Sequence, residues 1–189
     1  MDRTELIERA RDGDRSAFGV LVTTSIARLD AAARLIVRDP DLARDAVQEA
    51  LIGAWRDLPT LREPEHFDAW LHRLTVNRCL DLLRRRRRRV TEVVLSPIHE
   101  PAQADEAGSI IDREQLDLAL ARLTPDLRAV VVLRFYVGMS MDEIARTLSV
   151  PAGTVRSRLH RAMGLLRTML LIDEQDVGAM AGASGGRPA

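Results

Sequence analysis

The feature that most constrains this chain is a stretch in its middle that sustains no helical face. Residues 90–112, which include TEVVLSPIHEPAQADEAGS, mix Pro, Gly and Ser with five acids and carry neither Lys nor Arg. Such a composition reads as a flexible acidic linker. It divides the 189 residues into two blocks, and in both of them apolar residues recur at helical spacing rather than in strict alternation. Ala, Leu and Arg are abundant and aromatics make up only 3%, so each block is expected to pack helices on helices. The expected fold is all-α, with two small helical domains, 1–89 and 113–172, joined by the linker 90–112. The small, Gly-rich tail 173–189 is predicted to be disordered.

Composition excludes several classes. With 46% hydrophobic and 30% charged residues, the chain falls among soluble globular proteins. No apolar run reaches the roughly 18 residues that span a bilayer, and the N-terminal MDRTELIERA has no signal-peptide core. No membrane insertion is therefore expected, and the cytoplasm is the expected place of work. Cys79 has no second cysteine and no Cys or His cluster at metal spacing around it, so it reads as a small apolar residue on a helix. No cofactor, metal or small-molecule substrate is called for.

Net charge is zero, yet the charges are segregated. Residues 1–83 hold 12 Arg against 15 acids, the run from Arg84 to Arg89 adds six positive charges, and residues 113–172 hold 9 Arg against 5 acids. All 28 basic residues are Arg, whose planar fork suits phosphate and guanine. The bias alone shows no binding.

In the first block a helix is expected to begin beside Asp39 or Asp41, with Leu42, Ala46, Ala50 and Ile52 to Ala54 at apolar positions and Asp45, Gln48 and Glu49 on a polar surface. After the break LPTLREPEH, the residues Phe67, Trp70, Leu71, Leu74, Cys79, Leu80 and Leu83 support a helix that ends in the Arg run. In the second block, helices are expected over 115–123, 127–136, 141–148 and 151–171. A short helix, the turn Ser149-Val150-Pro151 and a Pro-opened second helix make a helix-turn-helix pattern. At about 100° per residue, Val155, Leu159, Ala162 and Leu166 share one buried stripe, and Thr154, Arg156, Ser157, His160 and Arg161 project on the other side. That face suits a DNA groove. From the pattern alone, an ordinary solvated helix face stays open as the alternative.

At this point the residues resemble a family. RLTPDLRAVVVLRFYVGMSMDEIARTLSVPAGTVRSRLHRA resembles region 4 of bacterial sigma factors, and DLARDAVQEALIGAWRDL followed by FDAWLHRLTVNRCLDLLRRRRRR resembles region 2. The order is that of the family. No segment corresponds to region 1.1 or to a folded region 3, which makes the chain similar to the extracytoplasmic function group. The resemblance covers roughly Glu5 to Leu171 and leaves the tail unexplained.

The resemblance implies roles for individual residues. Asp45, Gln48 and Glu49 match positions that bind a coiled coil on the largest polymerase subunit, although Arg44 departs from an acid common in relatives. Leu61 to Asp68 and the helix after them match the part that opens the duplex and reads the −10 element; His66, Phe67, Trp70, Arg73, Asn77 and Arg78 offer stacking, amide and cationic groups for it. Asn77 matches a position that holds the flipped −10 base. Phe67 and Trp70 also suit a buried face. Arg84, Arg85, Arg86, Arg87, Arg88 and Arg89 are expected at phosphates or polymerase, with a solvated helix end as the rival. For the −35 element the matching residues are Arg156, Ser157, His160 and Arg161, beside Thr154 on the same face, with Arg134 at a phosphate. The linker matches a connection that threads toward the RNA exit path, and a plain tether explains it equally.

The implied function is that of a sigma factor, a non-enzymatic subunit that takes core RNA polymerase to promoter DNA. Some members are held by an anti-sigma factor, so such a partner is a candidate here. A conventional helix-turn-helix repressor or activator would explain the second block but leave Asp45 to Glu49, Asn77 and the Arg run without a role. Scattered acids and four His without a metal or phosphate motif argue against a nucleic-acid enzyme.

Overall fold

The computed structural model describes residues 2–92 and 110–182, with side chains for 2–88 and 115–169. The described residues form helices and no strands. The first module comprises α1 (Arg3–Arg11), α2 (Arg15–Val37), α3 (Pro40–Asp57) and α4 (Phe67–Glu92), with single 3-10 turns at Leu58–Thr60 and Pro64–His66. The second comprises α5 (Ile110–Arg122), α6 (Pro125–Val131) continued by a π-helix over Val132–Val137, α7 (Met141–Leu148) and α8 (Ala152–Gly182).

Local chemistry sets these limits. The Asp14 carboxylate accepts from the N–H groups of Ser16 and Ala17 at 2.9 and 3.1 Å, capping α2. Asp39 does the same for α3 through Asp41 and Leu42, and Pro40 follows it at the first helical position. Asp39 also accepts from Arg86 at 2.8 Å, so one carboxylate ties the start of α3 to the far part of α4. Burial works to raise its pKa, but the Leu42 N–H and the Arg86 guanidinium outweigh it and hold the carboxyl below its usual range. In the second module Gly138 turns the chain out of the π-helix at φ +87°, a left-handed conformation that favours glycine.

α3 packs between α2 and α4, and Leu21, Leu29, Ile36, Ala43, Ala50, Phe67, Leu71 and Val76 are closed off from solvent in the first module. In the second, Leu120, Leu123, Leu127, Ala162 and Leu166 form a core between α5, α6 and α8. Each Leu buried in this way contributes about 1.5–3 kcal/mol. The sequence leaves open how the modules sit relative to each other. In the structure they dock: Val130, Leu133, Met139 and Ile144 join the apolar core of the first module, and Arg38 at the end of α2 pairs with Asp117 of α5 at 2.9 Å.

Helices reach into both sides of the stretch read as a linker, α4 to Glu92 and α5 from Ile110. Residues 93–109, and with them most of that stretch, lie outside the described residues. α8 runs on to Gly182, into the segment whose composition predicts disorder, and 183–189 are likewise not described.

Candidate nucleic-acid and polymerase interfaces

On α4, Trp70, Arg73, Asn77, Arg84 and Arg88 follow one another at helical spacing, one stripe roughly 27 Å long. Arg73, Arg84 and Arg88 are exposed, and Trp70 and Asn77 are half-buried. His66 is exposed just before the helix, with its Nδ1 2.7 Å from a Glu63 carboxylate oxygen. His66, Trp70 and Arg73 line a cleft of about 420 Å³ together with Leu61. Arg78 is half-buried, its guanidinium against Gly53 of α3; the neighbouring Asp57 carboxyl is held below its usual range first by its hydrogen bond from Arg56 and only lastly by the charge of Arg78.

Phe67 stands apart from this group. It is fully buried, its ring 5.9 Å from Trp70 and covered by the Arg3 guanidinium 5.7 Å away. Of the two readings that the sequence allows for Phe67, its surroundings leave the packing one: with no exposed surface it offers no base a stacking platform. In the Arg run, Arg84 to Arg88 are all exposed, and within it Arg86 pairs with Asp39 at 2.8 Å and Arg84 with Asp81 at 3.4 Å. The Arg89 side chain lies outside the described residues.

The helix-turn-helix pattern is built as α7, a turn and α8. Ser149 takes φ 54° and ends α7, and the Pro151 carbonyl accepts from Thr154 and Val155 to start α8. Val155, Ala162 and Leu166 are buried and Leu159 is half-buried, so the stripe turns inward. Arg156, Ser157, His160 and Arg161 are exposed, with Thr154 half-buried at their edge. Arg158 faces the other way, paired with Asp126 at 3.4 Å, which fastens α8 to α6. Arg134 is exposed and donates to the Met139 carbonyl at 3.0 Å, so it also holds the turn after the π-helix.

On α3, Asp45, Gln48 and Glu49 are all exposed. Beside them runs a groove of about 560 Å³ lined by Ile26, Arg44, Val47, Gln48, Leu51 and Ile52. Ile52, expected among the apolar core positions, is 64% exposed, and Ile26 is 42% exposed. The signal for Ile52 was present: it falls seven residues after Asp45 and four after Gln48, on their face of the helix. Ile26, on another helix, had none.

Among the described residues, one group of three potential metal ligands, Glu63, Glu65 and His66, lies together and is exposed. No helix of the described residues is long and apolar enough to cross a membrane.

Known proteins match over both modules. Residues 21–89 match the family described as Sigma-70 region 2, and residues 113–166 match Sigma-70, region 4. The chain is 36% identical over 167 residues to the ECF RNA polymerase sigma factor SigM of Mycobacterium tuberculosis, across 88% of this chain and 83% of that one. It is 34% identical over 168 residues to the RNA polymerase sigma-E factor of Streptomyces coelicolor, across 89% and 94%. Among solved structures it is similar to the sigma factor RpoE of Bartonella quintana, held in complex with the anti-sigma factor NepR, at TM-score 0.66 and 27% identity over 82% of this chain and 98% of that one. It is also similar to CnrH in complex with the cytosolic domain of CnrY, at TM-score 0.63 and 28% identity over 90% and 98%. With both sigma regions in order on the two helical modules, the chain belongs to the sigma-70 family of RNA polymerase sigma factors, in its extracytoplasmic function group.

Proposed function

We propose that this sigma factor divides promoter recognition between the two helix faces described above. On α4, Asn77 holds an unstacked −10 base, with Trp70, His66, Arg73 and Arg78 around it and the exposed members of the Arg run along the backbone. On α8, Arg156, Ser157, His160 and Arg161 enter the major groove of the −35 element, where Arg forks onto guanine and Ser and His make shorter contacts. Asp45, Gln48 and Glu49, with the apolar groove at Ile26 and Ile52, take the polymerase clamp: the carboxylates bind Arg side chains and the isoleucines lose exposed area. The chain supplies binding and strand-separation energy in the cytoplasm, and the polymerase performs the nucleotidyl transfer.

The observation that carries this reading is that polar, cationic faces emerge on α4 and on α8, in separate modules. A repressor acting through α8 leaves the α4 stripe and the α3 groove unused. The two solved relatives were each captured with a second protein, in one case a named anti-sigma factor. A matching site here is the apolar groove of about 550 Å³ bordered by Leu35, Leu116, Phe135, Tyr136 and Met163, which suits the nonpolar side of an inhibitor helix.

The test mixes the purified chain with sigma-free core polymerase and a genomic fragment library, then maps transcript 5′ ends. Starts that share a pair of upstream motifs are expected, with Asn77→Ala and Arg161→Ala each lowering initiation by about tenfold, in line with the roughly 1–3 kcal/mol of one lost base contact. No transcription, despite tight binding to duplex DNA, would make the repressor the better account.

A further inference from the structure

Arg128 is a charge that the proposed promoter and polymerase contacts leave unused. It sits on α6, where that helix packs against α2 and α4 of the first module, and it is 6% exposed. Its Nε is sealed from solvent without a partner, and among the described residues its guanidinium forms no hydrogen bond or ion pair. The paired carboxylates of α5 and α6 belong to other arginines, Asp117 to Arg38 at 2.9 Å and Asp126 to Arg158 at 3.4 Å.

Burying a guanidinium without a counter-charge is costly. Here a second cation adds to the cost. Arg38, at the end of α2, stands close enough that its charge joins burial, the larger cause, in pushing the pKa of Arg128 down to about 10. Both guanidiniums therefore stay charged at neutral pH. With Asp117 as the carboxylate between them and solvent, the junction of α2, α5 and α6 carries one positive charge in excess. Arg38 gives its Nη1 to Asp117, and its side chain keeps 22% of its surface open.

From this arrangement we infer that Arg38 and Arg128 form a binding site for a small phosphate anion, held between the end of α2 and α6. A guanidinium presents a planar fork of N–H donors that matches an oxyanion, and the fork of Arg128 is unspent. Two cations from different helices supply the charge that a phosphate needs, and the phosphate offsets the excess that the protein leaves. The site is a closed one, since so little of Arg128 is open. It admits inorganic phosphate or the end of a phosphomonoester and shuts out a phosphodiester inside a duplex. This separates it from the exposed arginines of α4 and α8, and the inference does not rest on their reading of a promoter. An occupied site joins α2 to α6 by charge-assisted hydrogen bonds beside the Arg38–Asp117 pair, so phosphate steadies the folded chain by mass action.

The experiment takes the full chain in chloride and in inorganic phosphate at equal ionic strength, and follows thermal melting and the phosphorus NMR line width of the added phosphate. At about ten times the dissociation constant, the wild type is expected to melt roughly 3–5 °C higher than in chloride. Phosphate also stabilises folded proteins through its exclusion from their surface, so the variants decide. Arg128→Met and Arg38→Gln, one on each side of the site, are each expected to weaken phosphate binding by about tenfold or more and to keep only the general rise. Arg85→Gln, in the exposed Arg run, is expected to bind as the wild type does. An equal rise in wild type and both site variants overturns the site. So does line broadening that survives in Arg128→Met but is lost in Arg85→Gln, which places the anion on the exposed run. Phenyl phosphate tells the two sources apart: competition with inorganic phosphate supports a phosphorylated metabolite as the ligand, and exclusion supports inorganic phosphate itself. A duplex of scrambled sequence is expected to leave the bound phosphate in place, and displacement by it overturns the closed site.

Discussion

Cys79 shows how a side chain's surroundings decide its chemistry. Burial pushes its thiol up to about 12, so at neutral pH almost no thiolate exists to react. In the native chain at pH 8, labelling by a thiol reagent is expected to be at least a hundredfold slower than in urea; labelling at the unfolded rate would show that the packing around α4 is wrong. Arg128 is the opposite kind of burial, a charge kept where it has little compensation. Arg128→Met keeps the length and removes the cation, and is expected to raise the melting temperature by about 2–4 °C, near 1 kcal/mol for a chain of this size. A fall in melting temperature would mean that Arg128 has structural partners that outweigh its desolvation. Spacing in the sequence found the inward stripe of α8 and the buried position of Cys79, because both depend on one helix and its period. It placed Ile52 with the core because α3 is covered on two sides, and periodicity does not say where the covered arc ends.

At the level of elements, the turns carry the fold as much as the apolar stripes do. Ser140 and Glu143 cap α7 reciprocally: the Ser140 N–H and hydroxyl reach the Glu143 carboxylate, and the Glu143 N–H reaches the Ser140 hydroxyl at 3.3 Å. Ser140→Ala is expected to destabilise the second module by about 1 kcal/mol in urea titrations; an unchanged midpoint would make the cap ornamental. The same contacts hold Glu143 below its ordinary value of 4.5, with the Ser140 hydroxyl as the largest cause and its N–H next. A carboxyl whose folded pKa is depressed stabilises the fold above its unfolded value. That contribution should therefore fade as the pH falls below about 4.5 toward the lower folded value, and Ser140→Ala should flatten the fall. The Ser-x-x-Glu spacing was there to be read before a helix. The π-helix at Val132–Val137 was not, since one wider turn leaves the apolar composition unchanged while bringing Phe135 and Tyr136 to the surface at 62% and 41% exposure.

For the whole molecule, the sequence points to two helical modules but not to how they dock, because an apolar stripe records that a face is covered and not by what. The docked arrangement places residues of both modules around His72. Its ring lies under Val137 and Gly138 with Arg28 on α2, Asp68 on α4 and Glu143 on α7 around it. Burial lowers its pKa from 6.5, Arg28 lowers it further, and Asp68 offsets part of the change. A base whose pKa is depressed in the closed chain binds its proton more readily once the modules part. Closure is therefore fully present above about 6.5 and is lost as the pH falls toward the depressed value. With dyes placed on α1 and α8, transfer efficiency is expected to hold above about pH 6.5 and to fall below it in the wild type, and to stay level in His72→Gln, which remains neutral throughout. If His72→Gln opens over the same pH range as the wild type, another group drives the opening, and His72 merely fills space beneath the second module.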